Sequence, residues 1–270
     1  MKYAICLQGF IPMRTEAKES AEMSSQLLFG DTFRVLKELP RWYYVVRDYD
    51  GDEGWIDWKT ATLLDEVRYN SYLRASASAP LVRQTFVPVT VTENGPAGQA
   101  HLPWGSRIFG LDGIGVYFTM EHRRFDIPST AYIQPVDVKT MSRKACSKYL
   151  LQQAQLMLNI PYLWGGISAF GLDCSGFVQT LFRFIGIALP RNASQQYEVG
   201  EEVTFENRQE GDLAFFGQEG KVTHVALVAG TDRVLHVSSQ LHYDQLRQDG
   251  IWSERQGVLT HHLIAIKRLF

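Results

Sequence analysis

The chain has 270 residues, of which 45% are hydrophobic and 21% are charged, and its formal net charge is -2. This is the composition of a globular protein with room for two or three domains, and the small net charge argues against nucleic acid as the main partner, because duplex binding needs a clustered basic excess. The sequence has no run of about 18 or more apolar residues, so it predicts no transmembrane helix.

The amino-terminal residues and the cysteines bear on where the protein works. The apolar run in residues 1–8 is too short for the core of a signal peptide. Cys6, Cys146 and Cys174 form no Cys-x-x-Cys pair, which argues against a disulfide framework and a zinc site and favours free thiols. We therefore expect a cytoplasmic protein. The alternative is an exported protein whose signal segment is absent from this sequence.

Residues 1–67 are rich in short strand signals. β-Branched and aromatic residues fill 32–36 (TFRVL), 42–46 (WYYVV) and 54–58 (GWIDW), with turn residues at 48–52 (DYDGD). Short strands with close turn signals predict a small β-barrel. Residues 68–137 repeat this texture in 86–91 (FVPVTV), which alternates as an edge strand does, and in 114–118 (IGVYF). Asn94-Gly95-Pro96 predicts a break between these strands.

Residues 138–270 have a different pattern. Helical spacing of apolar residues around positions 154–158 is followed by a predicted helix over 174–185 and then by strands. Gly186 is a suitable stop for that helix. Helices followed by strands predict an α+β domain.

Cys174 is a candidate nucleophile at the start of the predicted helix. Asp173 is a good N-cap residue. The unpaired backbone N–H groups and the dipole of a helix N-terminus favour thiolate over thiol, so we expect the pKa of Cys174 to be lowered. Taken alone, Cys174 is better explained as an inert buried cysteine than as a nucleophile.

Two histidines strengthen the case for catalysis. His224 lies in a strand-like run over 222–229, and His236 lies in the return strand after a turn at 230–233. A hairpin centred near Gly230 would place the two histidines directly opposite each other, with Cβ atoms about 4.5–5.5 Å apart. One imidazole could then take the thiol proton while the other fixes its tautomer.

Residues 138–270 resemble the NlpC-type family of bacterial cell-wall cysteine peptidases, a branch of the papain-like superfamily. The matching stretches occur in the family's order: 161–166 (PYLWGG), 172–178 (LDCSGFV), 186–191 (GIALPR), 209–216 (QEGDLAFF), 223–226 (THVA) and 234–238 (VLHVS). Residues 1–67 resemble a bacterial SH3-like domain through 42–45 (WYYV) and 51–56 (GDEGWI), and residues 68–137 are interpreted as a second, diverged copy. The expected architecture is an α+β papain-like catalytic domain preceded by two small all-β SH3-like barrels.

The resemblance implies roles for individual residues. Cys174 matches the nucleophile, His224 the general base and His236 the orienting residue. Tyr162 matches a tyrosine whose hydroxyl assists oxyanion binding together with the Cys174 N–H, a packed aromatic residue being the structural alternative. The mechanism needs no cofactor, and the spacings of the other histidines indicate no metal site.

Family members with SH3-like domains in front cut the bond between γ-D-glutamate and the diamino acid in murein peptides, often when L-alanine has a free amino group. This implies an ammonium site at Asp173 and Ser175, with Glu53 of the first SH3-like domain adding a second negative group. Arg191 would bind a substrate carboxylate. The structural alternatives are an N-cap role for Asp173, a solvated turn acid at Glu53 and an ion pair at Arg191.

Two other functions fit parts of the sequence. A wall-binding adaptor would use the SH3-like domains and carry a vestigial peptidase domain, although the intact Cys174, His224 and His236 argue against it. An amidase or acyltransferase on the same fold would use the same residues. A cytoplasmic enzyme would recycle murein peptides, whereas an exported one would remodel the wall. The sequence indicates no oligomeric state.

Overall fold

A computed structural model describes residues 1–93 and 95–270, and it divides between Pro135 and Val136 into two compact units. The predicted break at Asn94 lies outside the described residues. Within the described ranges, no helix combines the length and apolar character needed to cross a membrane.

The first part of unit 1 is an antiparallel sheet in the order β3-β2-β6-β5-β4-β1-β7. Alternation of inward and outward residues explains its strands: in β6, Gly54 and Ile56 are buried while Glu53 is exposed. The core of this sheet includes Met13, Phe33 and Val45. Its elements are β1 (Lys2–Ile5), β2 (Phe10–Arg14), β3 (Met23–Leu28), β4 (Thr32–Leu39), β5 (Trp42–Arg47), β6 (Glu53–Asp57), β7 (Thr62–Leu64) and helix α1 (Glu66–Ala75).

The second part of unit 1 has a sheet in the order β10-β9-β12-β11 and a strand pair β13-β8. Strand β9, predicted as an edge strand, lies between β10 and β12. Pro88 is tolerated because β12 pairs only with residues 90–92 of β9, and so a missing N–H at Pro88 faces no partner on that side. The strands are β8 (Leu81–Val82), β9 (Phe86–Thr92), β10 (Gly98–Pro103), β11 (Tyr117–Met120), β12 (Arg123–Asp126) and β13 (Tyr132–Ile133).

One apolar cluster joins the two parts of unit 1. Ile5, Leu64 and Tyr69 from the first part pack in the same cluster as Val89 and Phe118 from the second. The two parts therefore share a core, which accounts for their behaviour as one compact unit.

Unit 2 has helices followed by an antiparallel sheet in the order β16-β22-β17-β18-β19-β20-β21. A further pairing of β21 with β22 closes the sheet on itself. The elements are α2 (Arg143–Gln155), β14 (Ile167–Ser168), β15 (Gly171–Leu172), α3 (Cys174–Phe182), α4 (Ala193–Tyr197), β16 (Glu201–Val203), β17 (Leu213–Gln218), β18 (Lys221–Val228), β19 (Arg233–Val237), β20 (Leu241–Arg247), β21 (Gly250–Ser253) and β22 (Val258–Arg268).

Helix α3 is the central helix of unit 2, and its apolar side chains are fully buried. It ends at Phe182 and continues as a 3-10 turn to Ile185, where Gly186 adopts a left-handed conformation with φ of 72°. The predicted stop at Gly186 is thereby confirmed, because glycine enters this region without a Cβ penalty.

Close backbone packing fixes the start of α3. A Cβ at Gly176, in the first turn, would lie 2.2 Å from the carbonyl oxygen of Gly166 in the preceding hairpin. A Cβ at Gly166 would in turn lie 2.2 Å from the carbonyl oxygen of Gly171. These contacts leave no room for a side chain, so glycine at both positions lets the β14–β15 hairpin lie against the helix N-terminus.

Candidate active site

The thiol of Cys174 lies at the N-terminus of α3. Asp173 is the N-cap residue, and its Oδ1 accepts a hydrogen bond of 2.7 Å from the Gly176 N–H. Backbone N–H groups of Ser175, in the helix, and Val225, in β18, hydrogen-bond to the Cys174 sulfur. The sulfur therefore sits between the helix N-terminus and the strand that carries His224.

Burial has a larger effect on this thiol than the helix N-terminus. Loss of hydration raises the pKa of Cys174 to about 11, and the negative charge of Asp173 adds to the rise. The N–H groups of Val225 and Ser175 and the charge of Arg191 act in the opposite direction. The expectation of a lowered pKa was wrong, because it considered the helix terminus without the cost of burying a thiolate. At neutral pH the resting group is a thiol.

His224 and His236 lie on neighbouring strands with their side chains in contact. The β18–β19 ladder pairs Leu227 with Leu235 and Val228 with Val234, so the hairpin is centred at position 231. When this register is extended along the strands, His224 and His236 become diagonal neighbours on one face and are not directly opposed. The predicted centre at Gly230 was wrong by one residue, and the imidazoles meet because they reach across a diagonal pair.

The two imidazoles form a buried hydrogen bond. His224 Nε2 and His236 Nδ1 are 2.9 Å apart, with the rings nearly perpendicular at 85°. Burial, followed by the neighbouring His236, His261 and His242, lowers the pKa of His224 well below its usual range. His224 is consequently neutral near pH 7 and has a nitrogen available to accept a proton.

A third histidine packs against the base. His261, on β22, stacks on the His224 ring with centroids 4.2 Å apart and planes 27° from parallel. Burial lowers the pKa of His261 to about 4, so this ring is also neutral near pH 7. The register that brings β22 to this face is a property of the assembled sheet, so no local spacing in the sequence indicates that His261 contacts His224.

Two polar residues on β20 continue the network beyond His236. His236 Nε2 lies 3.3 Å from Asp244 Oδ2, and His242 Nε2 lies 3.1 Å from the same oxygen. For Asp244, burial acts to raise the pKa, but the hydrogen bonds and charges of His236 and His242 outweigh it and lower the value. The clue in the sequence was the alternation His242-x-Asp244, which places both side chains on one face of a strand after the predicted hairpin.

The same side chains are close enough to chelate a metal ion. His224, His236 and His261 form one such group, and His236, His242 and Asp244 form another, with ligand atoms within 4.8 Å of one another in each. Both ring nitrogens of His236 already have hydrogen-bond partners in His224 and Asp244, and these contacts require no metal.

Asp173, Ser175 and Arg191 form a buried network beside the nucleophile. Arg191 Nη1 lies 3.1 Å from Asp173 Oδ1 and 3.0 Å from Ser175 Oγ, and Arg191 Nη2 binds Asp173 Oδ2. Asp173 Oδ2 also accepts the Gly165 N–H at 2.9 Å, and Ser175 Oγ donates to Asp173 Oδ1 at 3.2 Å.

This network changes the interpretation of Arg191. Only 3% of Arg191 is exposed, and its guanidinium already makes a fork with the Asp173 carboxylate. The structure therefore supports the ion-pair alternative, and the contact of Arg191 with a substrate carboxylate stays a prediction. Asp173 is both the N-cap of α3 and the partner of Arg191, which limits its capacity for a substrate amine.

Tyr162 and Glu53 occupy different places. Tyr162 is partly exposed, and burial together with the charges of Asp173 and Cys174 raises the pKa of its hydroxyl, so this group lies within electrostatic reach of the nucleophile. Glu53 lies in unit 1, at the exposed start of β6, where its carboxylate hydrogen-bonds the Tyr44 hydroxyl. The role of Glu53 in substrate binding stays a prediction.

Matches to known proteins agree with this geometry. Residues 159–260 match the model of the NlpC/P60 family, and residues 9–62 match that of the bacterial SH3 domain. A gamma-D-glutamyl-L-lysine dipeptidyl-peptidase of Bacillus subtilis (strain 168) is 39% identical over 230 residues, which cover 79% of this chain and 72% of that protein. One of the same name from Bacillus cereus is 26% identical over 80% of this chain and 67% of that protein.

Solved structures show the same fold. The crystal structure of an NlpC/P60 family protein from Bacillus cereus superposes with a TM-score of 0.80 at 19% identity, covering 98% of this chain and 99% of the other. An NlpC/P60 endopeptidase from Photobacterium damselae subsp. piscicida gives a TM-score of 0.69 at 15% identity, covering 98% of this chain and 70% of the other.

The raised pKa of Cys174 predicts how its alkylation depends on pH. Since the thiolate is the reactive species and the pKa is about 11, the rate with iodoacetamide should rise about tenfold per pH unit between about pH 7 and pH 9. Mass spectrometry of the Cys174 peptide measures this rate, with Cys174→Ala as the blank. A rate that is flat over this range would indicate a preformed thiolate–imidazolium pair and contradict the prediction.

The Asp173–Arg191 pair predicts the effect of an Arg191→Met substitution. Removing one partner of a buried pair leaves the carboxylate without its guanidinium, so the free energy of unfolding should fall by about 3–5 kcal/mol. Urea denaturation measures this change. Arg255→Met is the matched control, because Arg255 is exposed and its loss should change stability by less than about 0.5 kcal/mol. Unchanged stability with a raised KM would instead indicate a substrate ligand.

Proposed function

The chain belongs to the NlpC/P60 family and is a cysteine peptidase. We propose that it hydrolyses the bond between γ-D-glutamate and the diamino acid in murein peptides that have a free N-terminal L-alanine. The residues that carry out this reaction are Cys174, His224 and His236. The observation that carries the proposal is the buried hydrogen bond between His224 and His236. His224 lies on β18, and the N–H of the next residue, Val225, contacts the Cys174 sulfur. The two Bacillus relatives are named for the γ-D-glutamyl-L-lysine bond.

Acylation begins from the neutral resting pair. His224 takes the proton of the Cys174 thiol as the sulfur attacks the γ-carbonyl carbon of D-glutamate, which forms a carbon–sulfur bond and moves the carbonyl electron pair onto oxygen. Collapse of this tetrahedral intermediate breaks the carbon–nitrogen bond. The His224 imidazolium gives its proton to the leaving amine of the diamino acid, and a thioester remains on Cys174.

Deacylation uses the same groups with water as the nucleophile. His224 removes a proton from water while the water oxygen attacks the thioester carbonyl carbon. The carbon–sulfur bond then breaks, the sulfur regains its proton from His224, and the γ-carboxyl group of D-glutamate is released. The reaction consumes one water molecule and requires no redox partner.

The negative oxygen of both intermediates needs hydrogen-bond donors. We assign this role to the backbone N–H of Cys174, at the N-terminus of α3, and to the hydroxyl of Tyr162. The coupling of Tyr162 to the charge of Cys174 supports this assignment, since it requires the two groups to be near each other.

Recognition of the L-alanine ammonium group is assigned to Asp173, Ser175 and Glu53. Asp173 carries a negative charge next to the nucleophile, but five hydrogen bonds from its own surroundings already reach its two oxygens. Arg191 also offsets its charge. Ser175 Oγ is a second acceptor, and Glu53 is proposed as a further negative group. We therefore propose that Asp173 contributes orientation more than net attraction.

The finer domain assignment is also a proposal. Residues 138–270 are proposed as a papain-like α+β domain, which the helix-then-sheet order supports. Residues 1–67 and 68–137 are proposed as two SH3-like barrels, the first supported by the match over residues 9–62 and the second by its own four-stranded sheet. An experimental structure in which residues 68–137 form no barrel would overturn the second assignment.

We propose a cytoplasmic role in recycling wall peptides. The support is chemical: Cys6 and Cys146 are buried free thiols, as expected in a reducing compartment. Remodelling of the wall by an exported form is the alternative. Cell fractionation that finds the protein outside the cytoplasm would overturn the proposal.

Cleavage of defined peptides tests the function. L-Ala-γ-D-Glu-L-Lys and L-Ala-γ-D-Glu-diaminopimelate should each be offered with a free and with an acetylated amino terminus, and products followed by mass spectrometry. We expect release of the free diamino acid from the unblocked peptides, with kcat/KM at least about tenfold higher than for the acetylated ones, because an ammonium–carboxylate contact is lost.

The controls separate chemistry from recognition. Cys174→Ala must abolish turnover, while Glu53→Gln should narrow the difference between free and acetylated peptides if Glu53 faces the ammonium group. Failure to cleave any of the peptides would contradict the hydrolase. Equal cleavage of free and acetylated peptides would contradict amine recognition and leave the hydrolase standing. Transfer of the acyl group to an added amine in preference to water would favour an acyltransferase.

A further inference from the structure

A buried carboxylate, that of Asp244, lies next to the two histidines of the site. The Asp244 carboxylate lies behind His236, at the end of a line that runs from His224 Nε2 to His236 Nδ1 and from His236 Nε2 to Asp244 Oδ2. We propose that Asp244 is a positioning residue that fixes the tautomers of His236 and His224 and thereby leaves the Nδ1 of His224 free to accept the thiol proton. This inference rests on the proposed function of Cys174 and His224.

Each hydrogen bond along this line fixes which nitrogen of the next ring carries its proton. An ionised carboxylate can only accept a hydrogen bond, so His236 must carry its proton on Nε2. The Nδ1 of His236 is then an acceptor, and His224 must carry its own proton on Nε2. A neutral imidazole has a single N–H, so the His224 Nδ1 is unprotonated. This is the form that a general base requires.

Neutral rings are essential to this assignment, and burial provides them. Burial lowers the pKa of both His224 and His236, although the Asp244 hydrogen bond partly opposes the shift at His236. The Asp244 pKa is lowered, so its carboxylate is ionised near pH 7. Without the carboxylate, each ring could carry its proton on either nitrogen, and only one arrangement serves catalysis.

The strands place Asp244 where this role requires it. The β19–β20 ladder pairs Val234 with Asp244 and His236 with His242, so Asp244 is a diagonal neighbour of His236 on the same face. Asp244 is only 8% exposed. Its position is therefore set by the closed sheet and does not depend on a flexible loop.

His242 holds the carboxylate in place from the other side. Its Nδ1 lies 2.7 Å from the Gln240 carbonyl oxygen, and its Nε2 lies 3.1 Å from Asp244 Oδ2. Both partner atoms are acceptors, so His242 donates to whichever of them faces its N–H. The charged or titratable groups that face Asp244 are then His236, His242 and His261, with Arg255 lining the same cavity of about 370 Å³.

Two other interpretations of Asp244 are distinguishable. A purely structural carboxylate would change stability but not the tautomer of His224 or the division between kcat and KM. A metal ligand together with His236 and His242 would bind His236 Nε2 to the metal, place the His236 proton on Nδ1 and make activity sensitive to chelators.

The test compares Asp244→Asn with the native chain. An amide is close in shape but can donate as well as accept, so it no longer specifies the His236 tautomer. We expect kcat/KM for the free tripeptide to fall roughly 10- to 100-fold, almost entirely in kcat, with KM changed less than about twofold. Asp232→Asn is the control, because Asp232 is exposed in the same unit and should leave both constants unchanged.

A spectroscopic measurement makes the test independent of substrate. Two-bond 1H–15N NMR correlation spectra of 15N-histidine-labelled protein should show His224 and His236 as Nε2–H tautomers in Cys174→Ala, and as a mixture or as Nδ1–H when Asp244→Asn is added. Asp244→Glu keeps an acceptor-only group and should recover part of kcat. Thermal melting of each variant identifies any that fails to fold, and Asp244→Glu then carries the comparison.

The outcomes separate this inference from the proposed function. Predicted tautomers in a protein that cleaves none of the peptides would overturn the function alone. Active protein whose tautomers and kcat are unchanged by Asp244→Asn would overturn the positioning role alone. Loss of native activity in EDTA, or a His236 proton on Nδ1 in the native chain, would also overturn it and would favour a metal site.

Discussion

The Asp173 carboxylate is the contact on which the geometry of the site depends. It caps α3 through Gly176, receives the Gly165 N–H from the preceding hairpin and pairs with Arg191 from the segment after the helix. Three separate stretches of chain are therefore held in position by hydrogen bonds to one side chain, which is adjacent to the nucleophile. Because the pair is buried, losing either partner would leave an uncompensated charge, so the sulfur position and the stability of unit 2 are linked.

The second constraint is the burial of the catalytic pair. Burial raises the pKa of Cys174 and lowers that of His224, and both effects favour the neutral thiol and imidazole. Charge then develops only as the reaction proceeds, where the helix N-terminus and the line through His236 to Asp244 can stabilise it. A buried network of this kind limits the ways in which protons can be distributed before the substrate arrives.

The sequence predicted the chemistry of the site better than its distances. Cys174, His224 and His236 stood in recognisable motifs, and the N-cap at Asp173 was readable from local residue preference. The hairpin centre was wrong by one residue, since loop length in this turn depends on tertiary context. The predicted shift in the pKa of Cys174 had the wrong direction, because burial raises this pKa and burial is a property of the assembled fold. The Asp173–Arg191 ion pair was not predicted as a fact because a pair across 18 residues leaves no local signal. Asp244 was missed because its contact with His236 depends on the register of a third strand.

The closure of the sheet in unit 2 has a consequence for how substrates are recognised. In the sheet order of unit 2, β18, β19 and β20 each lie between two other strands, and among the described residues the short β16, with Glu201 and Glu202, is the outer strand next to β22. Many peptidases hold a substrate as an added strand, but such pairing needs a regular spacing of amides along the ligand. A γ-linked D-glutamyl residue inserts extra methylene groups into the backbone and breaks that spacing. Strand pairing therefore suits the γ-linked substrate proposed for this site poorly, and its recognition would fall to side chains around Cys174 and His224.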